Sequence, residues 1–291
     1  MFYLRDWPIQ KITLQDKEYP QELKKIQKPP LALYYRGNLN ENENRVAIVG
    51  TRRASDYGKE IAFDLADNLS QAGLIVVSGL ARGIDTWAAK GALQKNHRTI
   101  AVLGTGLDEE NFYPQENLNL AKQILEKNGC LISEYPSGTK GANFTFPQRN
   151  RIISGLSLAV VVVEAKLESG ALITAHWAKQ QKRRVFAVPG PVYNSNSQGC
   201  HFLIKQGAKL AESANDILND LGLSLFTSQQ PTATSPEEQL IFKILEQGAL
   251  DIDKIIEKTK LPAQIISVNL SMMEIENKVK NLGGNTYALT R

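Results

Sequence analysis

The chain reads as an α/β protein with a mostly parallel sheet, followed by a small winged-helix domain. Three observations predict this. Short apolar runs at 46–49, 74–77, 99–103, 130–132, 158–163 and 184–188 alternate with amphipathic stretches at 57–71, 84–94, 115–127, 148–155 and 170–181. Such alternation implies right-handed crossovers and a parallel sheet covered on both faces. The run LAVVVV at 158–163 is apolar at every position, which suits a central strand. The stretch LFTSQQPTATSP at 225–236 is rich in Ser, Thr, Gln and Pro and separates a last helical segment from the rest.

In chain order, residues 1–44 form an N-terminal extension with few periodic segments. A short helix is expected after Pro20, and PPLALYYRG reads as a strand closing on Gly37. NLNENENR is a polar loop. Residues 45–224 form the main domain, whose last unit, GCHFLIKQGAKLAESANDILNDL, adds a helix, a short strand and a helix. Residues 225–236 are the linker and 237–291 the small domain. Its start is marked by Ser235 as N-cap, Pro236 at the first helical position, and Glu237 and Glu238 in the first turn. Three helical stretches (EEQLIFKILEQG, DIDKIIEKTK, PAQIISVNLSMMEIENK) and a terminal hairpin (KVKNLGGNTYALT) give the winged-helix pattern.

Bulk properties exclude several classes. The 291 residues, 42% of them hydrophobic, suffice for a large α/β domain plus a small one. A net charge of +4 permits a nucleic-acid partner without requiring one. The two cysteines, Cys130 and Cys200, lack C-x-x-C spacing, and Cys130 opens an apolar run, so it reads as a buried small residue. His97, His176 and His201 are scattered and have no metal-ligand spacing, with His176 expected over a packing seam. No run approaches the roughly 18 apolar residues of a membrane span, and no signal peptide is visible, so a cytoplasmic protein is expected. No metal or cofactor is expected.

The chemistry sits in the turns. VAIVGTRRASDYG follows a strand and opens a helix, but lacks G-x-G-x-x-G spacing and puts Arg52 and Arg53 where a pyrophosphate would rest on backbone. The second strand ends in Ser78-Gly79 where a nicotinamide fold usually has an acid for the ribose. Both features disfavour a dinucleotide and suit phosphates of a strand lying across the surface. SGLARGID offers Gly79, Gly83 and Arg82, with Asp85 as a structural partner. LGTGLDEENFYP is a third turn of this kind. SGTKGANFTFPQRNR gathers Lys140, Phe144, Phe146, Arg149, Asn150 and Arg151 in one loop and helix start. Cations beside rings are what single-stranded nucleic acid needs, bases stacking while phosphates meet charge. Phe144 is read as either a stacking platform or core; Phe146, which precedes Pro147, as core. Ser169-Gly170 opens the helix after the central strand, a place for an anion. Glu164 and Glu168 read as capping or salt-bridge partners rather than as an acid–base pair.

The series VAIVGTR, SGLARGID, TIAVLGTGLD, ISEYPSGT, FPQRNRIISGLS, VVVEAKLESGALITA and FAVPGP closely resembles the DprA/Smf family of bacterial DNA-processing proteins, from about Thr13 to about Leu221. The tail from Glu237 resembles that family's winged-helix domain. The resemblance implies an extended Rossmann-like fold that binds single-stranded DNA, forms homodimers and helps load RecA in natural transformation. Carried over by position, the groove would use Arg52, Gly79, Lys140, Phe144, Arg149, Asn150 and Arg151. The chain departs from the family in having Ala89-Lys90 where an alanine-histidine pair is frequent. Members often carry a further helical N-terminal domain, whereas almost nothing precedes TLQDKEYP here. A dimer is expected through the last α/β unit, with His201, Ile204 and Leu210 near an otherwise uncovered sheet edge. The rival reading is a nucleotide-hydrolysing enzyme of the LOG phosphoribohydrolase type. That group carries P-G-G-x-G-T-x-x-E, and the matching turn here, Glu168 to Thr174, has no following Glu.

Overall fold

The computed structural model describes residues 4–40, 43–223, 235–246, 248–276 and 278–289. Most of the expected linker, 225–234, lies outside them. The chain divides into two units, Met1–Phe226 and Thr227–Arg291.

Nine strands of the first unit form one sheet: Gln10–Thr13 (β1), Ala32–Gly37 (β2), Arg45–Val49 (β3), Ile75–Ser78 (β4), Thr99–Leu103 (β5), Cys130–Ser133 (β6), Ala159–Val162 (β7), Arg184–Ala187 (β8) and Lys209–Leu210 (β9). Their spatial order is β1-β2-β6-β5-β4-β3-β7-β8-β9. From β6 to β9 every pairing is parallel; β1 and β2 add antiparallel strands beyond β6. Residues 1–44 therefore supply two strands of the sheet rather than an appendage to it. β1 (QKIT) escapes a hydrophobic-pattern reading because only Ile12 of its four residues is buried.

The expected strands and helices fall where the apolar runs place them. β3 and β7 are buried at every position, as central strands with both faces covered must be. Alternate residues serve opposite faces. Ala47, Val49, Val160 and Val162 pack with Leu23 of Gln21–Lys24 (α1), Ile152 and Ile153 of Thr145–Gly155 (α5), Ala171 and Ala175 of Gly170–Gln180 (α6) and Cys200 of Gln198–Lys205 (α7). Val46, Ile48, Ala159 and Val161 pack with Ala62 and Leu65 of Asp56–Gln71 (α2), Ile84 and Ala88 of Ile84–Ala92 (α3) and Ile217 of Ala214–Leu221 (α8). Leu118–Glu126 (α4) closes a third cluster beside Leu103 and Leu131. Cys130 is fully buried, and burial pushes its thiol up to about 12.

The second unit contains Pro236–Leu245 (α9), Leu250–Asp251 (β10), Ile252–Thr259 (α10), Ala263–Ile275 (α11), Val279–Asn281 (β11) and Thr286–Leu289 (β12). Ser235 caps α9 by accepting from the Glu238 amide at 3.1 Å. The strands pair as β10-β12-β11, which completes a winged helix around Ile241, Ile255, Ile266, Leu270 and Met273.

Candidate nucleic-acid interface

Strand order reverses between β3 and β7, and ligands of open α/β sheets bind beyond the carboxyl ends of strands at such a point. Here the crevice itself is filled. Glu164, just after β7, is 2% exposed. Its carboxylate accepts from the Ser55 amide at 2.9 Å and the Ser55 hydroxyl at 2.6 Å. Its carbonyl accepts from the Thr51 amide at 2.7 Å, so the first amide of the β3 turn is already engaged. A Cβ on Gly50 would lie 2.5 Å from Ile84, and one on Gly58 2.3 Å from Glu164 Oε2. The close approach of these glycines serves internal packing, and Glu164 acts as the clamp of the α2 N-terminus.

Arg149 differs from expectation. It is 5% exposed and points into the sheet, where its Nη1 donates to the carbonyl of Gly79 at 2.8 Å and to that of Val102. Asp85, at the start of α3, accepts from the Gly79 amide at 2.8 Å. Both polar groups of the Gly79 peptide are thus consumed, and a Cβ on Gly79 would sit 2.4 Å from Arg149 Nη1. Gly79 admits the guanidinium rather than a ligand. Burial pushes Arg149 down to about 10, against the attraction of Asp85, so it stays charged at neutral pH. Burial likewise raises Asp85, opposed by Arg149 and by backbone amides. Helical spacing carried the signal: Arg149 shares a face of α5 with buried Thr145, Ile152 and Ile153.

Arg151 is also a framework residue in this conformation. Its guanidinium pairs with both oxygens of Glu134, at 2.6 and 2.9 Å, and donates to the carbonyls of Lys28 and Gln148. Asn150, 9% exposed, donates to the Gly170 carbonyl at 3.2 Å and ties α5 to the start of α6. There Ser169 caps α6 by accepting from the Ala171 amide, while Gly170 is exposed with nothing around the position of a Cβ.

Of the cations and rings expected in the groove, Arg52, Arg53, Lys140 and Phe144 face outward, as does Arg82, which donates to Glu116 at 2.6 Å. Among the described residues no ion pair engages Arg52 or Lys140. Phe144 is 64% exposed at the start of α5, which removes the core reading for it. Phe146, expected in the core, is half-buried and forms a wall. The Arg52 guanidinium carbon stands 5.5 Å from its ring centroid, and Tyr113, unnoticed in the sequence, lies 5.5 Å away on tilted rings. Tyr113 sits in the third glycine turn, so its position after β5 was the available signal. Close approach of Gly104 and Gly141 to the Phe146 ring brings the Lys140 loop over the same wall. That loop is pinned to the β5 turn by the Gly106 amide on the Thr139 carbonyl at 2.9 Å and the Gly138 amide on Asp108 at 2.8 Å. Cations and ring faces therefore surround Phe146 on a rigid edge.

Elsewhere, His176 is exposed and bonded to Gln180 at 2.9 Å rather than covering a seam. Among the described residues no cluster of His, Cys, Asp and Glu could hold a metal ion, and no helix is long and apolar enough to cross a membrane. At the far end of the sheet β9 is an edge strand. Leu210 and Phe202 are each 47% exposed there, Ile204 packs partly into the core, and His201 bonds the Gly190 carbonyl at 3.0 Å.

The profile of the DNA recombination-mediator protein A family matches residues 10–222, and that of the DprA winged helix domain matches residues 227–285. Protein Smf of Escherichia coli is 38% identical over 96% of this chain and 77% of its own length. DNA processing protein DprA of Streptococcus pneumoniae is 44% identical over 71% of this chain and 72% of its own length. An X-ray structure of the S. pneumoniae protein superposes with a TM-score of 0.68 at 42% identity, covering 75% of each chain. DNA processing protein A of Helicobacter pylori, whose structure is described for its single-stranded DNA binding mode, superposes with a TM-score of 0.67 at 29% identity over 75% of this chain and 97% of that one. From the strand order to the glycine turns and the winged helix, this chain belongs to the DprA/Smf family of DNA-processing proteins.

Proposed function

We propose that the protein binds single-stranded DNA along the carboxyl edge of its sheet, with little preference for base. The observation that carries this reading is the outward set Arg52, Lys140 and Phe144 around the Phe146 wall. Unpaired cations track phosphates, and exposed rings stack any base. No side chain in this set is arranged to read a base edge. Ser169-Gly170 at the start of α6 extends the path. The single-stranded DNA mode described for the H. pylori relative supports the same assignment.

In this reading the protein shelters incoming single-stranded DNA in natural transformation, helps load RecA, works as a homodimer in the cytoplasm and performs no catalysis. Glu164, the acid nearest the switch point, is committed to Ser55, which favours binding over hydrolysis. The test is fluorescence anisotropy with single-stranded oligonucleotides over a salt series. A folded Arg52→Ala, Lys140→Ala, Phe144→Ala variant should lose affinity for every sequence alike, and its salt slope should fall by about 0.7 per cation removed. Unchanged affinity and slope in that variant would refute the assignment.

A further inference from the structure

Helix α11 is apolar on two sides. Ile266, Leu270 and Met273 are fully buried in the core of the C-terminal unit. Ile265, Val268, Met272 and Ile275 are exposed by 39, 63, 50 and 77%. Their spacing of three, four and three residues is that of successive a and d positions, so they form one stripe along the helix. A helix apolar on both sides belongs between two partners, and the domain supplies one.

Nucleic acid does not fit the second side. Duplex-reading helices of such modules bring Lys and Arg to phosphates and polar side chains to base edges. The segment AQIISVNLSMMEI contains neither Lys nor Arg, and its one charge is Glu274.

We propose that the outer stripe of α11 packs against the same stripe of a second copy of this chain. The a/d spacing makes the stripe self-complementary: a copy related by a two-fold axis presents knobs where this helix presents holes. Beside the seam, Gln264, Asn269 and Ser271 are uncharged, and the one carboxylate, Glu276, is paired with Lys278 at 2.6 Å, so like-charge repulsion against a copy is small. Met272 in the middle can adapt to the facing side chains. The helix has 13 residues and is about 20 Å long. One such pair falls short of the roughly 1,200 Å² of stable interfaces. The pairing is therefore weak alone and strengthens when other contacts or a shared DNA strand hold two chains together.

The test uses the full chain. Cys130 and Cys200 are fully buried, so they stay silent under mild oxidation. Val268→Cys and Met272→Cys chains are prepared separately, with Ser267→Cys, exposed on the same helix, as control. Disulfide-linked dimers should form from the stripe variants, alone for a parallel pair or mixed for an antiparallel one, at least about tenfold faster than from the control. Equal rates in stripe and control variants would overturn the proposal. So would a stripe cysteine closed to thiol reagents in a monomer, which would mean that the chain covers its own stripe. A Val268→Glu, Met272→Glu variant should melt like the parent and bind duplex DNA as the parent does. A loss of duplex affinity without loss of self-association would instead make α11 a nucleic-acid reader and sink the pairing.

Discussion

Arg149 and Arg52 stand close in space and should behave as opposites on mutation. Arg149→Ala strips the cation from buried Asp85 and leaves the Gly79 and Val102 carbonyls without their donor. Removing one partner of a buried charge pair costs about 3–5 kcal/mol. For a unit of this size that lowers the melting temperature by roughly 6–20 °C. Arg52→Ala removes an exposed cation over the Phe146 ring, worth about 0.5–1 kcal/mol, and shifts melting by no more than roughly 4 °C. The DNA readout reverses the order. Arg52→Ala should lower the salt slope by about 0.7, because one phosphate contact is lost. Arg149→Ala should leave the slope of the folded fraction unchanged. Differential scanning fluorimetry beside anisotropy at four salt concentrations reads both. Arg149→Ala that melts normally yet lowers the slope would mean that its guanidinium leaves the sheet to meet a phosphate, and the framework assignment would fall.

Three other expectations follow from the same geometry. Phe144→Ala should weaken single-stranded DNA binding by about 1–3 kcal/mol while costing little stability, since most of the ring is already exposed; a melting loss matching the roughly 3–5 kcal/mol of a core phenylalanine would retire its stacking role. Incubation with AMP, NAD or nucleotide sugars should release no product above a heat-killed control, and Glu164→Gln should cost about 1–3 kcal/mol of stability by setting an amide donor against the Ser55 donors; hydrolysis abolished by that change would restore the enzyme reading. Leu210→Glu with Phe202→Glu, both at exposed positions, should give a folded monomer with weaker binding to long oligonucleotides, and light scattering that finds the parent chain monomeric at tens of micromolar would refute a dimer through β9.

The sheet was legible because its parallel strands are short runs apolar at almost every position, as β3 and β7 are, spaced by amphipathic stretches. β1 was not legible, because a short edge strand with one buried residue carries no pattern. The winged helix was legible from the cap at Ser235 and the three apolar stretches. The site was legible as a place and less so as a set of roles. An arginine at a helix start reads the same whether it faces solvent or the sheet, unless its helical face is checked against Thr145, Ile152 and Ile153. Arg151 shows the remaining gap, because its partner Glu134 is 17 residues away in sequence and is brought to it only by the turn after β6.

Those assignments together single out Arg52 and Lys140 as the cations that the proposed single strand would meet. Every framework charge on this edge has an internal partner: Arg149 the Gly79 and Val102 carbonyls beside Asp85, Arg151 Glu134, and Glu164 Ser55. These groups hold the turns in place, and the charges of Arg149 and Arg151 are offset locally by Asp85 and Glu134. Arg52 and Lys140 stand outside that network, so their fields are not cancelled by a neighbouring carboxylate. A polyanion laid along the edge meets them at little cost in broken ion pairs. The clamped turns fix the backbone that carries them, so little loop ordering remains for binding to bear. Opening the Arg151–Glu134 pair with Glu134→Gln would free a further cation beside this edge. Affinity for single strands should then rise, and the salt slope should steepen by up to about 0.7. An unchanged slope would show that the strand passes out of reach of Arg151.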